Sequence, residues 1–211
     1  MNRPSILPTP HRSKPDDGVG YPVVDTDSAK RIRDLFEQAA TADATFREHS
    51  EHVADLSIRV GRALGLEDDE LDLLGLAAVV HDVGKLSVDP EILAKPSTLD
   101  EDEWESMREH PAAGAALLEP CAAPPEVLRI VRSHHERWDG GGYPDGLAGE
   151  EIPLGARIIA VVDSYCAMVE SRPYRPPRGA AGARAELLAG AGSQFDAECA
   201  RAAYRLVAAT G

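Results

Sequence analysis

The sequence predicts an all-α bundle. Apolar residues recur three and four apart in one segment after another, the spacing of a helix face packed on a core. Prolines and most glycines fall between those segments, where they punctuate rather than interrupt. No stretch alternates apolar and polar residues as a half-buried strand does, so no sheet is expected. With 211 residues the chain is long enough to bury one core of its own.

Residues 1 to 27 carry Pro4, Pro8, Pro10, Pro15 and Pro22 with little periodicity, and are expected to form a mobile tail. Over residues 28–43, Ile32, Leu35, Phe36 and Ala39 share one side and predict an N-terminal helix. The remaining residues, 44–211, read as one domain. Its first helix is expected from Ala44 to Leu64, with Gly65 just past its end. The stripe Val53, Leu56, Val60, Ala63 and Leu64 places His49 within about 15° of its centre and His52 roughly 70° away. Glu67, Asp68 and Asp69 suit a helix N-terminus. The helix they open is apolar nearly all round and ends in His81-Asp82-Val83-Gly84-Lys85. A buried His–Asp pair is costly unless it is paired or binds a metal.

A short helix is expected around Glu91 to Ala94. Asp100 with Glu103 forms a capping box for a helix ending at His110, because Pro111 can start a helix but not continue one. The next helix spans Pro111 to Leu118. Pro124-Pro125 opens another, on which Val127, Val131, His134 and Trp138 are expected to share the inward face. A long loop comes next, built on Gly140-Gly141-Gly142 and closed by Tyr143-Pro144; glycines there let backbone approach a ligand closely. Pro153 opens a helix to Glu170 with Asp163 at the centre of its buried side. Two C-terminal helices, Ala183–Ala189 and Ala197–Ala208, complete the chain.

Composition narrows the function. Thirty-six acids against 22 Lys and Arg give a net charge of −14. That field opposes nucleic acid and anionic membrane, so an anionic substrate needs a local cationic pocket. Cys121, Cys166 and Cys199 show no ligand or disulfide spacing. The longest apolar run, Leu73 to Val80, has eight residues, so membrane insertion is not expected, and the prolines near the N-terminus do not suit a signal peptide. A cytoplasmic location is the expectation.

Collected by helix, the inward polar residues are His49, His81, Asp82, His110, His134, His135 and Asp163. Five imidazoles and two carboxylates without thiolates suit first-row divalent ions. Seven ligands are too many for one ion and suit a pair about 3.5–4 Å apart sharing a carboxylate.

His81-Asp82, with a histidine 32 positions earlier and an aspartate downstream, resembles the HD superfamily of metal-dependent phosphohydrolases. The ordered set Asp82-Val83-Gly84-Lys85, His110-Pro111, His134-His135-Glu136-Arg137-Trp138-Asp139-Gly140-Gly141-Gly142-Tyr143-Pro144, Arg172-Pro173-Tyr174-Arg175 and Gly192-Ser193-Gln194-Phe195-Asp196 resembles the HD-GYP subgroup. The resemblance covers about residues 45 to 200. It implies an HD-type helical bundle and a phosphodiesterase that opens cyclic di-GMP to linear pGpG, with GMP as a further product. One ion would be held by His49, His81, Asp82 and Asp163, the other by Asp82, His110, His134 and His135. Asp82 would bridge, with a hydroxide shared by the ions as nucleophile. Fe or Mn is the first expectation, with Ni, Zn or Mg as alternatives. Lys85 would contact the scissile phosphate, Tyr143 would pack on the ligand, and Arg172 and Arg175 would grip phosphate.

One position departs from the subgroup's pattern: where some members place a glutamate that binds a third ion, this chain has Thr45, so a binuclear centre is expected. Two other readings stand beside the leading one: a nucleotide-binding signalling module with weak or no turnover, and hydrolysis of a hybrid GMP–AMP cyclic dinucleotide. A homodimer or a regulatory protein docking on the Ser28 to Ala40 helix completes the expected partners.

Overall fold

Helix α3 (Asp68–Val80) is the axis of the fold. Leu71, Leu74, Leu76, Ala77, Ala78, Val79 and Val80 point in several directions from it, and all are buried in the computed structural model, which describes residues 24–170 and 179–209. A helix apolar on every side can be stable only with partners all round. They are α2 (Phe46–Ala63), α7 (Pro125–Ser133) and α8 (Leu154–Val169), with α10 (Ala197–Ala208) and α9 (Ala180–Ala189) packed behind α8. Among the described residues the only strand-like feature is an isolated bridge, Ala191 to Phe195. The protein is all-α.

Helix ends fall where local chemistry places them. Asp25 caps α1 (Thr26–Ala42), accepting from the amides of Asp27 and Ser28 at 2.9 Å. Ile32 and Phe36 of α1 are almost fully buried, so its apolar face belongs to the common core. Burying each such side chain stabilises by about 1.5–3 kcal/mol. Gly65, at φ +88, ends α2 in the left-handed conformation that a side chain disfavours. The expected capping box is present on α5 (Glu101–Arg108), with Glu103 N donating to Asp100 Oδ1 at 3.1 Å.

The chain between α3 and α5 makes a 3₁₀ turn, Val83–Ser87, and the one-turn helix α4 (Pro90–Leu93). The turn lies against α6 (His110–Leu118), and Gly84 makes the approach possible. A Cβ there would sit 1.9 Å from the His110 carbonyl oxygen and 2.5 Å from the Gly114 nitrogen.

Helix α7 stops at Ser133, so Trp138 is not on its inward stripe and His135 is not a helical neighbour of His134. The backbone after His135 finds other partners: Trp138 N donates to Gln194 O at 3.1 Å and Asp139 N to Ser193 O at 2.9 Å. This pairing gives the stretch around Gly192 to Asp196 a structural role, which is to pin the turn beyond the histidines. Arg157 reinforces it, with its guanidinium over the Trp138 ring and 2.9 Å from Asp196.

Candidate metal centre

Three of the cluster's histidines sit at helix ends. His81 caps α3, His134 caps α7, and His110 stands at the break between α5 and α6. The carbonyls in the last turn of a helix have no amide partner of their own. Each imidazole uses one: Nδ1 lies 2.7 Å from Ala78 O for His81, from Met107 O for His110 and from Val131 O for His134. A carbonyl can only accept, so Nδ1 carries a proton and Nε2 is the nitrogen that faces inward.

Those Nε2 atoms converge on Asp82. Its Oδ1 lies 3.2 Å from His110 Nε2 and 3.9 Å from His134 Nε2, while Oδ2 lies 3.4 Å from His81 Nε2 and 2.5 Å from Lys85 Nζ. Two groups of donor atoms result, Asp82/His110/His134/His135 and His49/His81/Asp82, each with all its atoms within 4.8 Å of one another. Asp82 is common to both. Asp163 stands at the edge of the second group, with Oδ1 3.0 Å from His49 Nε2. His134 and His135 lie with ring centroids 4.2 Å apart, tilted by 43°.

The electrostatics suit a cation. Burial lowers the pKa of His81 and pushes that of His134 well down, and burial with His110 nearby takes His135 to about 4. These rings are neutral at pH 7 and present lone pairs. Burial alone would raise Asp82 and Asp163. The Lys85 ammonium holds Asp82 well below the carboxylate range, and the hydrogen bond from His49 does the same for Asp163. Burial opposes charge on His49 too, but hydrogen bonds to Asp163 and Glu170 raise it to about 9. His81 Nε2 is fully buried and makes no hydrogen bond. An orphaned acceptor among other inward lone pairs and two carboxylates is costly by itself and fits a divalent ion.

Lys85 stands at the rim, held by Asp82. Tyr143 packs against His135 with centroids 5.0 Å apart, and burial raises its hydroxyl to about 12, so it stays neutral. Gly142 lets its loop fold back on the chain: a Cβ there would lie 2.3 Å from Arg137 N and 2.5 Å from Glu136 Cα. Buried Glu136 fixes the other side of the loop, accepting from Asp145 N at 2.7 Å and Gly146 N at 3.1 Å. Arg172 and Arg175 lie outside the described residues. Thr45 is exposed and its hydroxyl donates to Asp43, which leaves no carboxylate at that position.

Sequence reasoning missed Glu170. Its carboxylate lies 2.9 Å from His49 Nδ1 and 3.3 Å from His52 Nδ1. A signal was present, since Glu170 comes seven residues after Asp163 and two helical turns return it to the same face.

Fold and site together define an all-α domain with a buried histidine–aspartate centre. Residues 35–199 match the HD domain family. The chain belongs to that family and, within it, to the HD-GYP group. It is 38% identical over 183 residues to the cyclic di-GMP phosphodiesterase response regulator RpfG of Xanthomonas campestris pv. campestris, covering 85% of this chain and 47% of that protein. It is 33% identical over 169 residues to 3'3'-cGAMP-specific phosphodiesterase 2 of Vibrio cholerae serotype O1, covering 77% of this chain and 32% of that one. The chain thus spans less than half the length of these relatives. Bd1817, an HDG"Y"P protein from Bdellovibrio bacteriovorus, shares the fold with a TM-score of 0.67 at 17% identity, covering 92% of this chain and 75% of that one. No helix among the described residues is long and apolar enough to cross a membrane.

Proposed function

We propose that this domain is a two-metal phosphodiesterase that hydrolyses a cyclic dinucleotide, with cyclic di-GMP as the first candidate, pGpG as product and GMP as the product of a second cleavage. The observation that carries the proposal is Asp82, whose two carboxylate oxygens face different histidine sets. His49, His81, Asp82 and Asp163 would hold one ion and Asp82, His110, His134 and His135 the other. When bound, the ions would supply a water acidic enough to ionise near neutral pH and a Lewis-acid hold on phosphoryl oxygens.

The chain's own residues do the rest. The Nδ1 bonds to helix-end carbonyls orient three imidazoles before any ligand arrives, so little reorganisation is needed. Lys85, half-buried beside Asp82, can turn its ammonium to a phosphate oxygen and offset charge that grows in the transition state. Tyr143, neutral and beside His135, offers a ring face to a base or ribose. Glu136 keeps its loop in place. On a chain with net charge −14, the ions and Lys85 would help draw in a phosphodiester. Fe or Mn suits this mixed nitrogen and oxygen set.

A hybrid GMP–AMP cyclic dinucleotide is the second reading, favoured by the likeness to the Vibrio cholerae relative. The test is turnover of cyclic di-GMP, cyclic GMP–AMP and a linear dinucleotide by metal-loaded protein, resolved by product chromatography. Linear product from a cyclic substrate supports the proposal. Tight binding without turnover across Mn, Fe, Ni and Zn would replace it with a binding module.

A further inference from the structure

Each histidine that donates Nδ1 to a carbonyl takes the one three residues before it, freed by a helix end. His49 has no such carbonyl. It is the fourth residue of α2, and the carbonyls before it belong to the helix's own ladder. Its Nδ1 meets Glu170 Oε2 at 2.9 Å instead, across 121 residues of chain. Glu170 caps the C-terminus of α8, the helix that carries Asp163, so one helix supplies both partners of the His49 ring. The other oxygen of Glu170 lies 3.3 Å from His52 Nδ1, one turn along α2 from His49.

We infer that Glu170 is the positioning residue for His49, fixing its ring and tautomer so that Nε2 is presented to an ion, with His52 steadying the carboxylate from outside. The inference rests on the two-ion reading above and extends it. A carboxylate behind a ligating imidazole orients the ring and raises its basicity. The consequence is asymmetry: His49 depends on a side chain brought in by another helix, while His81, His110 and His134 depend on backbone carbonyls that no substitution removes.

The test is stepwise Zn(II) affinity, measured by competition with a fluorescent chelator, for wild type, Glu170→Ala and Glu170→Gln. Glu170→Ala is expected to weaken one ion by about 10–100-fold and leave the other within about threefold. Glu170→Gln keeps an acceptor for Nδ1–H and is expected to recover most of the loss. In Zn-loaded wild type, ¹H–¹⁵N spectra should show a protected Nδ1 proton on His49, absent in Glu170→Ala. Glu170→Ala matching wild type at every ion that wild type binds overturns the inference. So does equal weakening of both ions, or Glu170→Gln failing as badly as Glu170→Ala. Wild type that binds a single ion overturns the two-ion reading instead.

Discussion

Replacing Gly84 by alanine isolates the contact on which both fold and centre depend. The added Cβ would lie 1.9 Å from His110 O, 2.8 Å from His110 C and 2.5 Å from Gly114 N, all backbone atoms. Contacts under 3.0 Å are essentially never seen for real Cβ atoms, so the 3₁₀ turn and α6 must part by about 1 Å. Overpacking of this kind costs about 1–3 kcal/mol, which for a chain of this size lowers Tm by roughly 3–10 °C. The displacement also reaches the centre, because His110 is the residue pushed and Asp82 precedes the turn. Metal sites tolerate errors of only about 0.2 Å in ligand distance, so a shift of about 1 Å should cost the ion on the His110 side at least about tenfold in affinity. Thermal melts of metal-free protein and a Zn(II) titration measure the two effects separately. A variant that melts within about 1 °C of wild type and keeps both affinities would refute the reasoning.

Gly182, inside α9, has open space where a Cβ would go, with nothing within 4 Å, so Gly182→Ala should raise stability by about 0.5–1 kcal/mol through helix propensity alone, read from the denaturation midpoint. Gly142→Ala drives a methyl group into the backbone of Glu136 and Arg137, so it should shift the Tyr143 loop and raise KM for the nucleotide; an unchanged KM would contradict this. In metal-free protein, histidine NMR titrations should place His49 near pH 9 and His135 near pH 4. The His49 contribution to stability has a definite sign: with its pKa raised from 6.5 to about 9, it is fully present below pH 6.5 and lost as pH rises through 9. A His49 midpoint near 6.5 would show that Asp163 and Glu170 do not hold its proton.

The helices were legible because their signals are local. The all-round apolar run of α3, the Asp100–Glu103 box and Gly65 each act within a few residues. The cluster was legible because costly polar residues stand out on apolar faces: His81-Asp82 after Val79-Val80, and Asp163 within α8. The segment beyond Ser133 was not legible. Helical periodicity carried the α7 stripe on to Trp138, but the backbone there pairs with Ser193 and Gln194, about 55 residues away, and no local pattern announces such a partner. Glu170 shares the helix face of Asp163 by its spacing, but its partner on α2 was not legible. A carboxylate at a helix end looks solvated until the fold sets α2 beside it.

If Asp82 serves two ions at once, activity depends on both ion equivalents. Metal-free protein is titrated with Mn(II) under anaerobic conditions while linear product from cyclic di-GMP is followed. Activity should stay low through the first equivalent, rise over the second and plateau at about two, with Asp82→Ala inactive throughout. A plateau at one equivalent, or an active Asp82→Ala, would contradict it.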